Sequence, residues 1–334
     1  MTAASASRRT FMQRAGLALA LGAAGAVPRA FAAAAGVEQL RVLVGFPAGS
    51  IPDLVARLAA DNLAGAYPQH ALVDNRPGAA GQIAVGALKA GPADGSMLLL
   101  AQGTAASAFP YLYSKLGYDP AADLKPVSLA AEVTLGLAVG PTVPAGVGNV
   151  RELAEWMRRN PAQANVGSPG IGTPPHLLAA MLFRGADAPW QHIAYPGGPP
   201  AVAALIGGQI AAVVLPEGLL RQQQAAGKLR VLATAGARRS AYLPEVPTLV
   251  EQGYPSLVVS DWFAFFMSSR VSAATVEATA QNLRAALTRP QLVAAYADSG
   301  MVAAPSTPAA LAERIAADAK VWEPVIRSNN IHVD

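Results

Sequence analysis

Leu40-Arg41-Val42-Leu43-Val44, followed by Gly45-Phe46-Pro47-Ala48-Gly49-Ser50-Ile51-Pro52-Asp53, is the stretch whose reading decides the fold. A short apolar run ended by glycine and proline reads as a buried strand, and the apolar spacing after it predicts a helix over residues 52–64. The glycines let a ligand come close to the backbone, Pro52 suits a first helical turn, and the free N–H groups there attract anions. Strand, glycine turn and helix together make the unit from which α/β proteins are assembled.

The unit recurs outward along the chain. Residues 71–74, 97–101, 135–139, 164–167, 210–215 and 229–233 are further strand candidates, and 150–159, 175–183, 200–206 and 217–226 read as helices between them. Such alternation predicts parallel sheets with helices on both faces. Beyond residue 272 the pattern turns helical, over 273–287, 291–297 and 308–326, with Pro290, Pro305 and Pro308 at the breaks.

At the other end, Ser7-Arg8-Arg9-Thr10-Phe11 precedes an uncharged run of about 13 residues and the small-residue stretch Ala30-Phe31-Ala32-Ala33-Ala34; a membrane span needs roughly 20. This order reads as a twin-arginine export leader over residues 1–34, which predicts a periplasmic protein. Arg8, Arg9, Arg14 and Arg29 are four of the 25 basic residues, so without the leader 21 face 21 acidic ones. A neutral mature chain lacks the clustered cations that a nucleic-acid partner requires. Cysteine is absent, which removes thiol chemistry, Cys-ligated zinc and disulfides; a chain that is 52% hydrophobic must instead be held by its core. The four histidines, at 70, 176, 192 and 332, are not spaced for a shared helical metal site, and no metal or cofactor is expected.

A second glycine loop, Gly167-Ser168-Pro169-Gly170-Ile171-Gly172-Thr173-Pro174-Pro175-His176, repeats the first arrangement. Two helix N-termini presenting N–H groups and hydroxyls make a pincer suited to a small carboxylate; each loop is equally a tight βα turn of the ordinary kind. Dinucleotide and phosphate-loop spacings fail in both, and Val166 stands where a nucleophile elbow needs glycine. No catalytic set of nucleophile, base and orienting acid is evident.

The run G-F-P-A-G-S-I-P-D-L-V-A-R, then D-N-R-P-G-A-A-G, G-S-P-G-I-G-T-P-P-H-L, A-Y-P-G-G-P-P-A, L-I-G-G-Q-I, G-K-L-R-V-L-A, P-E-V-P-T-L-V-E-Q-G and D-W-F-A, in order from Val42 onward, resembles the Bug receptors. These are the extracytoplasmic solute-binding proteins of tripartite tricarboxylate transporters. The resemblance implies an α/β, type II periplasmic-binding-protein-like fold, two lobes joined by crossover strands around a cleft, with residues 36–130 plus 235–334 in one lobe and 131–234 in the other. It places Phe46, Pro47, Ala48, Gly49, Ser50 and Asp53 on one wall, with Gly78, Ala79, Ala80 and Gly81 in a neighbouring turn. Ser168, Gly170, Gly172, Thr173 and His176 fall on the opposing wall. Ser50, Pro52, Pro196 and Ala204 depart from the family's usual residues, which bears on the ligand class and not on the fold.

Several of these residues carry two readings. Asp53 can hold the loop's N–H groups, contact ligand, or both. His176 can bond a backbone carbonyl in helix packing or touch ligand. Trp262 and Phe263 can wall the cleft or fill a core. Glu217 can cap a helix or meet a ligand amine, and Gln102, Gly103 and Thr104 end a strand on the ligand side. The function expected is a non-enzymatic receptor, a monomer that closes on a small organic acid and presents it to membrane transporter subunits or a sensor kinase. An exported hydrolase or isomerase on the same scaffold is the alternative.

Overall fold

A computed structural model describes residues 37–63, 68–328 and 331–333, so the expected export leader lies outside the described residues. The chain divides into two units, Met1–Ala35 and Gly36–Asp334, and the second carries everything that follows. Its elements run β1 (Gln39–Val44), α1 (Ile51–Leu63), β2 (His70–Asn75), α2 (Gln82–Ala90), β3 (Met97–Gln102), β4 (Leu124–Val139), α3 (Val150–Arg159), β5 (Asn165–Ser168), α4 (Pro174–Gly185), β6 (Gln191–Ala194), α5 (Gly198–Ile206), β7 (Ala212–Pro216), α6 (Glu217–Ala225), β8 (Arg230–Thr234), β9 (Ser260–Ser268), α7 (Ala273–Leu287), α8 (Pro290–Asp298), β10 (Met301–Ala303) and α9 (Pro308–Ser328). Among the described residues no helix is long and apolar enough to cross a membrane.

The strands follow the order β2-β1-β3-β9-β4-β7-β5-β6, with β8 and β10 also on β4. β1 lies parallel between β2 and β3, and β5 parallel between β6 and β7. The expectation of wholly parallel sheets fails in the middle. β9 is antiparallel to both β3 and β4, and β4 is antiparallel to β7 and β8. The reason lies in β4, which pairs with β9 as far as Thr134↔Ser260 and then, from Leu135 and Gly136, with β7 and β8. One strand of 16 residues thus leaves the first lobe and enters the second.

Alternate residues of the first sheet feed opposite faces. Val42, Leu98 and Phe265 pack with Val55 and Ala59 of α1 and Val276 and Leu283 of α7. Leu43, Leu99 and Phe266 pack with Leu88 of α2 and Leu311 and Trp322 of α9. Both faces are therefore covered, which explains why β3 is buried along its whole length. In the second lobe Leu137, Val166 and Val214 meet α3 and α4, while Val213 and Leu215 meet Leu205 of α5 and Leu220 of α6. These packed faces hold the β1–α1, β5–α4 and β6–α5 loops between the lobes.

Candidate functional site

The β1–α1 loop is held from within. Gly49, at φ +80°, donates its N–H to Asp53 Oδ2 at 2.9 Å, and Ser50 Oγ donates to Pro47 O at 2.6 Å. Asp53 is buried and also receives Arg57 Nε at 3.0 Å and Asn75 Nδ2 at 2.8 Å. Burial alone would raise its pKa, but the Arg57 guanidinium, the Gly49 amide and Asn75 together hold it below the usual carboxylate value. Asp53 is therefore an ionised brace for the loop. Beside it, Gly45 lies so close to the Gly78–Gly81 turn that a Cβ there would sit 2.3 Å from Gly81 Cα. In that turn Ala79 and Ala80 adopt left-handed φ values of 46° and 52°, between Gly78 at 132° and Gly81 at 98°.

The β5–α4 loop is also self-satisfied. Ser168 Oγ lies 2.7 Å from His192 Nε2 and donates to Gly170 O, which also accepts from Thr173 Oγ1 at 2.8 Å. Gly172 N donates to His176 Nδ1 at 3.0 Å, and the His176 ring stacks on His192 with centroids 3.9 Å apart. Burial pushes the pKa of His176 down to about 3 and that of His192 to about 4, so both rings are neutral at physiological pH. His176 thus accepts an amide proton, where helix packing through a backbone carbonyl was one expectation.

One pocket between the lobes collects residues from both. Phe46, Ser50, Ile51, Pro52, Gln102, Asp261 and Phe263 form its first wall; Pro169, Gly197, Gly198, Pro216 and Leu219 form the second. The two walls come close beside it, where a Cβ added to Gly197 would lie 3.9 Å from Pro47 Cδ and 4.0 Å from Ser50 Cβ. Among the described residues no Lys or Arg lines it. Instead α1 starts at Ile51 on one wall and α5 at Gly198 on the other, so two helices direct their positive ends at the same space.

Of the residues expected from sequence, Phe46 and Ser50 line this pocket, Pro47 stands beside it, and Gly49 faces an outer groove with Ser50 and Pro199. Ala48 is exposed beside them. Gly81 borders a small neighbouring cavity with Gly45, Phe46 and Gln102. Gly170, Gly172, Thr173 and His176 are not on the pocket wall, where Pro169 represents their loop. Trp262 is core: its indole N–H donates to Asp318 at 2.6 Å and its ring fills the space where Gly103 lacks a side chain. Glu217 is buried away from the pocket, accepting from Ser240 Oγ at 2.8 Å, and burial raises its pKa to about 6. Asp261 and the Gly197–Gly198 helix start also line the pocket and were not among the residues singled out from the sequence, although both sit in quoted family motifs. Among the described residues no group of three or more acidic or histidine side chains could hold a metal.

Two α/β lobes sharing a long strand, with a pocket enclosed by loops from each, define the class of two-lobed periplasmic binding proteins. Residues 55–331 match the tripartite tricarboxylate transporter family receptor, and the chain belongs to that family. It is 30% identical over 291 residues to Protein BugT of Bordetella pertussis (strain Tohama I), covering 87% of this chain and 89% of that one. The R. palustris protein Rpa4515 with adipate superimposes with a TM-score of 0.83 at 26% identity, over 88% of this chain and 98% of that one. MatC from Rhodopseudomonas palustris with bound malate gives 0.81 at 25% identity, over 87% and 99%. The resemblance read from the sequence is borne out, and the hydrolase alternative finds no support among these relatives.

Proposed function

We propose that this chain is an exported, non-enzymatic receptor that closes its two lobes on a small carboxylate and presents it to transporter subunits in the membrane. The observation that carries the reading is the pocket with two helix N-termini and no cationic side chain, in a member of a receptor family. Backbone amides at helix starts bind a carboxylate without a buried lysine or arginine. The similar proteins solved with adipate and malate support the ligand class. The ligand is held at the first turn of α1 by the Ile51 amide, between Ser50 and Pro52 and under Phe46, and by the Gly198 amide opposite, the Gly197 N–H being donated to Tyr195 O at 2.8 Å; Pro47, Ala48, Gly49 and Gly81 shape the near rim. Ser168, Gly170, Gly172, Thr173 and His176 support the far rim behind Pro169, and Asp53 fixes the near loop.

The lobes in this reading comprise residues 36–130 with 235–334, and 131–234; the change of partners along β4 at Thr134–Leu135 and the end of β8 at Thr234 support that division. The protein works as a monomer, and a membrane sensor kinase is a second destination for the loaded receptor. Export follows the twin-arginine route set by Arg8 and Arg9, and replacing both by Lys leaves the precursor inside the cell. Melting curves of the periplasmic protein with mono-, di- and tricarboxylates test the ligand class, since a binder stabilises by RT ln(1 + [L]/Kd). At least one acid raises the melting temperature in a saturable way; a panel with no effect at millimolar concentration overturns the carboxylate reading.

A further inference from the structure

The inner end of the pocket holds two oxygens that no described residue satisfies. Gln102 ends β3, Asp261 lies near the start of β9, and the two strands pair at Gln102↔Phe263. Gln102 Nε2 donates to Asp261 Oδ2 at 2.6 Å. Gln102 Oε1 and Asp261 Oδ1 are buried without a hydrogen-bond partner. The two residues are 5% and 1% exposed, and both line the pocket beside Phe46, Phe263 and Pro169. Six buried side-chain polar atoms lack a partner among the described residues, and two of them fall on this one pair, which makes the pair a place and not a scatter of imperfections.

A brace between two strands does not require a carboxyl. Two amides would join the strands as well, without the cost of keeping an acid away from water. What the acid adds is acceptor capacity: a carboxyl oxygen and an amide oxygen both present lone pairs that call for donors. The wall opposite is apolar at Pro169, Pro216 and Leu219; the Gly197 N–H is already donated to Tyr195 O at 2.8 Å, Pro199 and Pro200 carry no N–H, and the Gly198 amide belongs to the proposed carboxylate grip. A donor carried by the occupant of the pocket would meet both oxygens.

We propose that Gln102 and Asp261 read a hydrogen-bond donor, a hydroxyl or an ammonium group, on the captured acid, so that the preferred ligands are hydroxy or amino acids and not bare carboxylic acids. This rests on the carboxylate-receptor reading above, and it assigns Asp261 as the residue that sets selectivity within that class. Leaving the acceptors unpaired in a closed cleft penalises the bare acid, which is how a site built to hydrogen-bond a substrate group rejects the analogue that lacks it.

Titration calorimetry with the protein purified from the periplasm tests this with three matched series: propanoate, lactate and alanine; succinate, malate and aspartate; 3-phenylpropanoate, phenyllactate and phenylalanine. In the series whose chain length the pocket accepts, the hydroxy or amino member binds roughly ten- to a hundredfold more tightly than the bare acid. Whether malate or aspartate leads shows which donor is read. Asp261→Asn exchanges one acceptor for a donor and collapses that ratio towards one; Gln102→Met removes the other acceptor and reduces it. Equal or tighter binding of the bare acid overturns the proposal while leaving the receptor reading intact, because water then satisfies both oxygens. A ratio unchanged in Asp261→Asn also overturns it. Failure of every acid in all three series overturns the carboxylate reading, and the proposal with it. If the variants do not fold, the comparison within each series on the unaltered protein still decides.

Discussion

The Ser168–His192–His176 cluster shows how a ligand-side loop can be built from groups that work only when uncharged. Both rings are neutral because burial depresses their pKa values, to about 4 for His192 and about 3 for His176. As pH falls below about 6.5 the unfolded chain takes up protons that the folded rings refuse, so stability is lost from there down through pH 4 and levels off near the folded values. Asp261 and Glu217, whose pKa values are raised to about 7 and about 6, act in the opposite sense over the same range, so the informative quantity is the difference between variant and parent. His192→Gln removes one of the refusing groups. Its loss of stability between pH 7 and pH 4, from urea unfolding, is smaller than the parent's by on the order of 2 kcal/mol. Asp53 answers to simpler arithmetic. Asp53→Ala leaves the Gly49 amide, Asn75 and Arg57 without their acceptor and lowers stability by about 2 to 3 kcal/mol in the same assay. The Asp53 cap was legible in the sequence because Gly49 and Arg57 are each four residues away. Asp261 was not, because Gln102 is 159 residues distant and nothing local marks the pair.

At the scale of elements, legibility followed the same division between near and far. Short apolar strands bounded by turns, such as β1, β3 and β7, stand out by composition alone. β9 did not, because between Asp261 and Ser268 its six residues Trp262 to Met267 are all apolar without alternation and sit buried between two other strands. The part of β4 that pairs with β9, with Lys125, Ser128 and Glu132, gave no strand signal, and no periodicity reveals that a single strand changes sheets. The turn behind the β1–α1 loop offers a test of close packing with two opposite outcomes. Gly45→Ala drives a methyl group into the Gly81 backbone, costs about 1 to 3 kcal/mol, and weakens ligand binding by displacing the loop. Ala80→Gly relieves a left-handed alanine, an unfavourable conformation worth roughly 1 to 2 kcal/mol, and loses part of that to greater freedom in the unfolded chain. Thermal unfolding places Ala80→Gly at or up to about 1 kcal/mol above the parent and Gly45→Ala clearly below it.

For the whole molecule, the close approach of Gly197 to Pro47 and Ser50, where an added Cβ would come within 4.0 Å of both, narrows the cleft between the lobes, so a ligand enters when the lobes part. Binding that adds contacts across the pocket shifts the population towards the closed form. Small-angle scattering of the periplasmic protein therefore gives a smaller radius of gyration with a saturating acid than without, and an unchanged radius at saturation counts against hinge closure. The order of strands has one more outcome, which concerns the making of the chain. β9 lies between β3 and β4, yet the ribosome delivers it only after the whole stretch from Leu135 to Thr234 has been made. Until residue 268 emerges, β3 and β4 wait with an empty place between them and two unpaired edges exposed. A message cut short anywhere before β9 yields a polypeptide that cannot close its own first lobe and is left to proteases. The stretch from β9 onward thereby serves as a certificate of completeness: only a chain that has reached it can become a receptor.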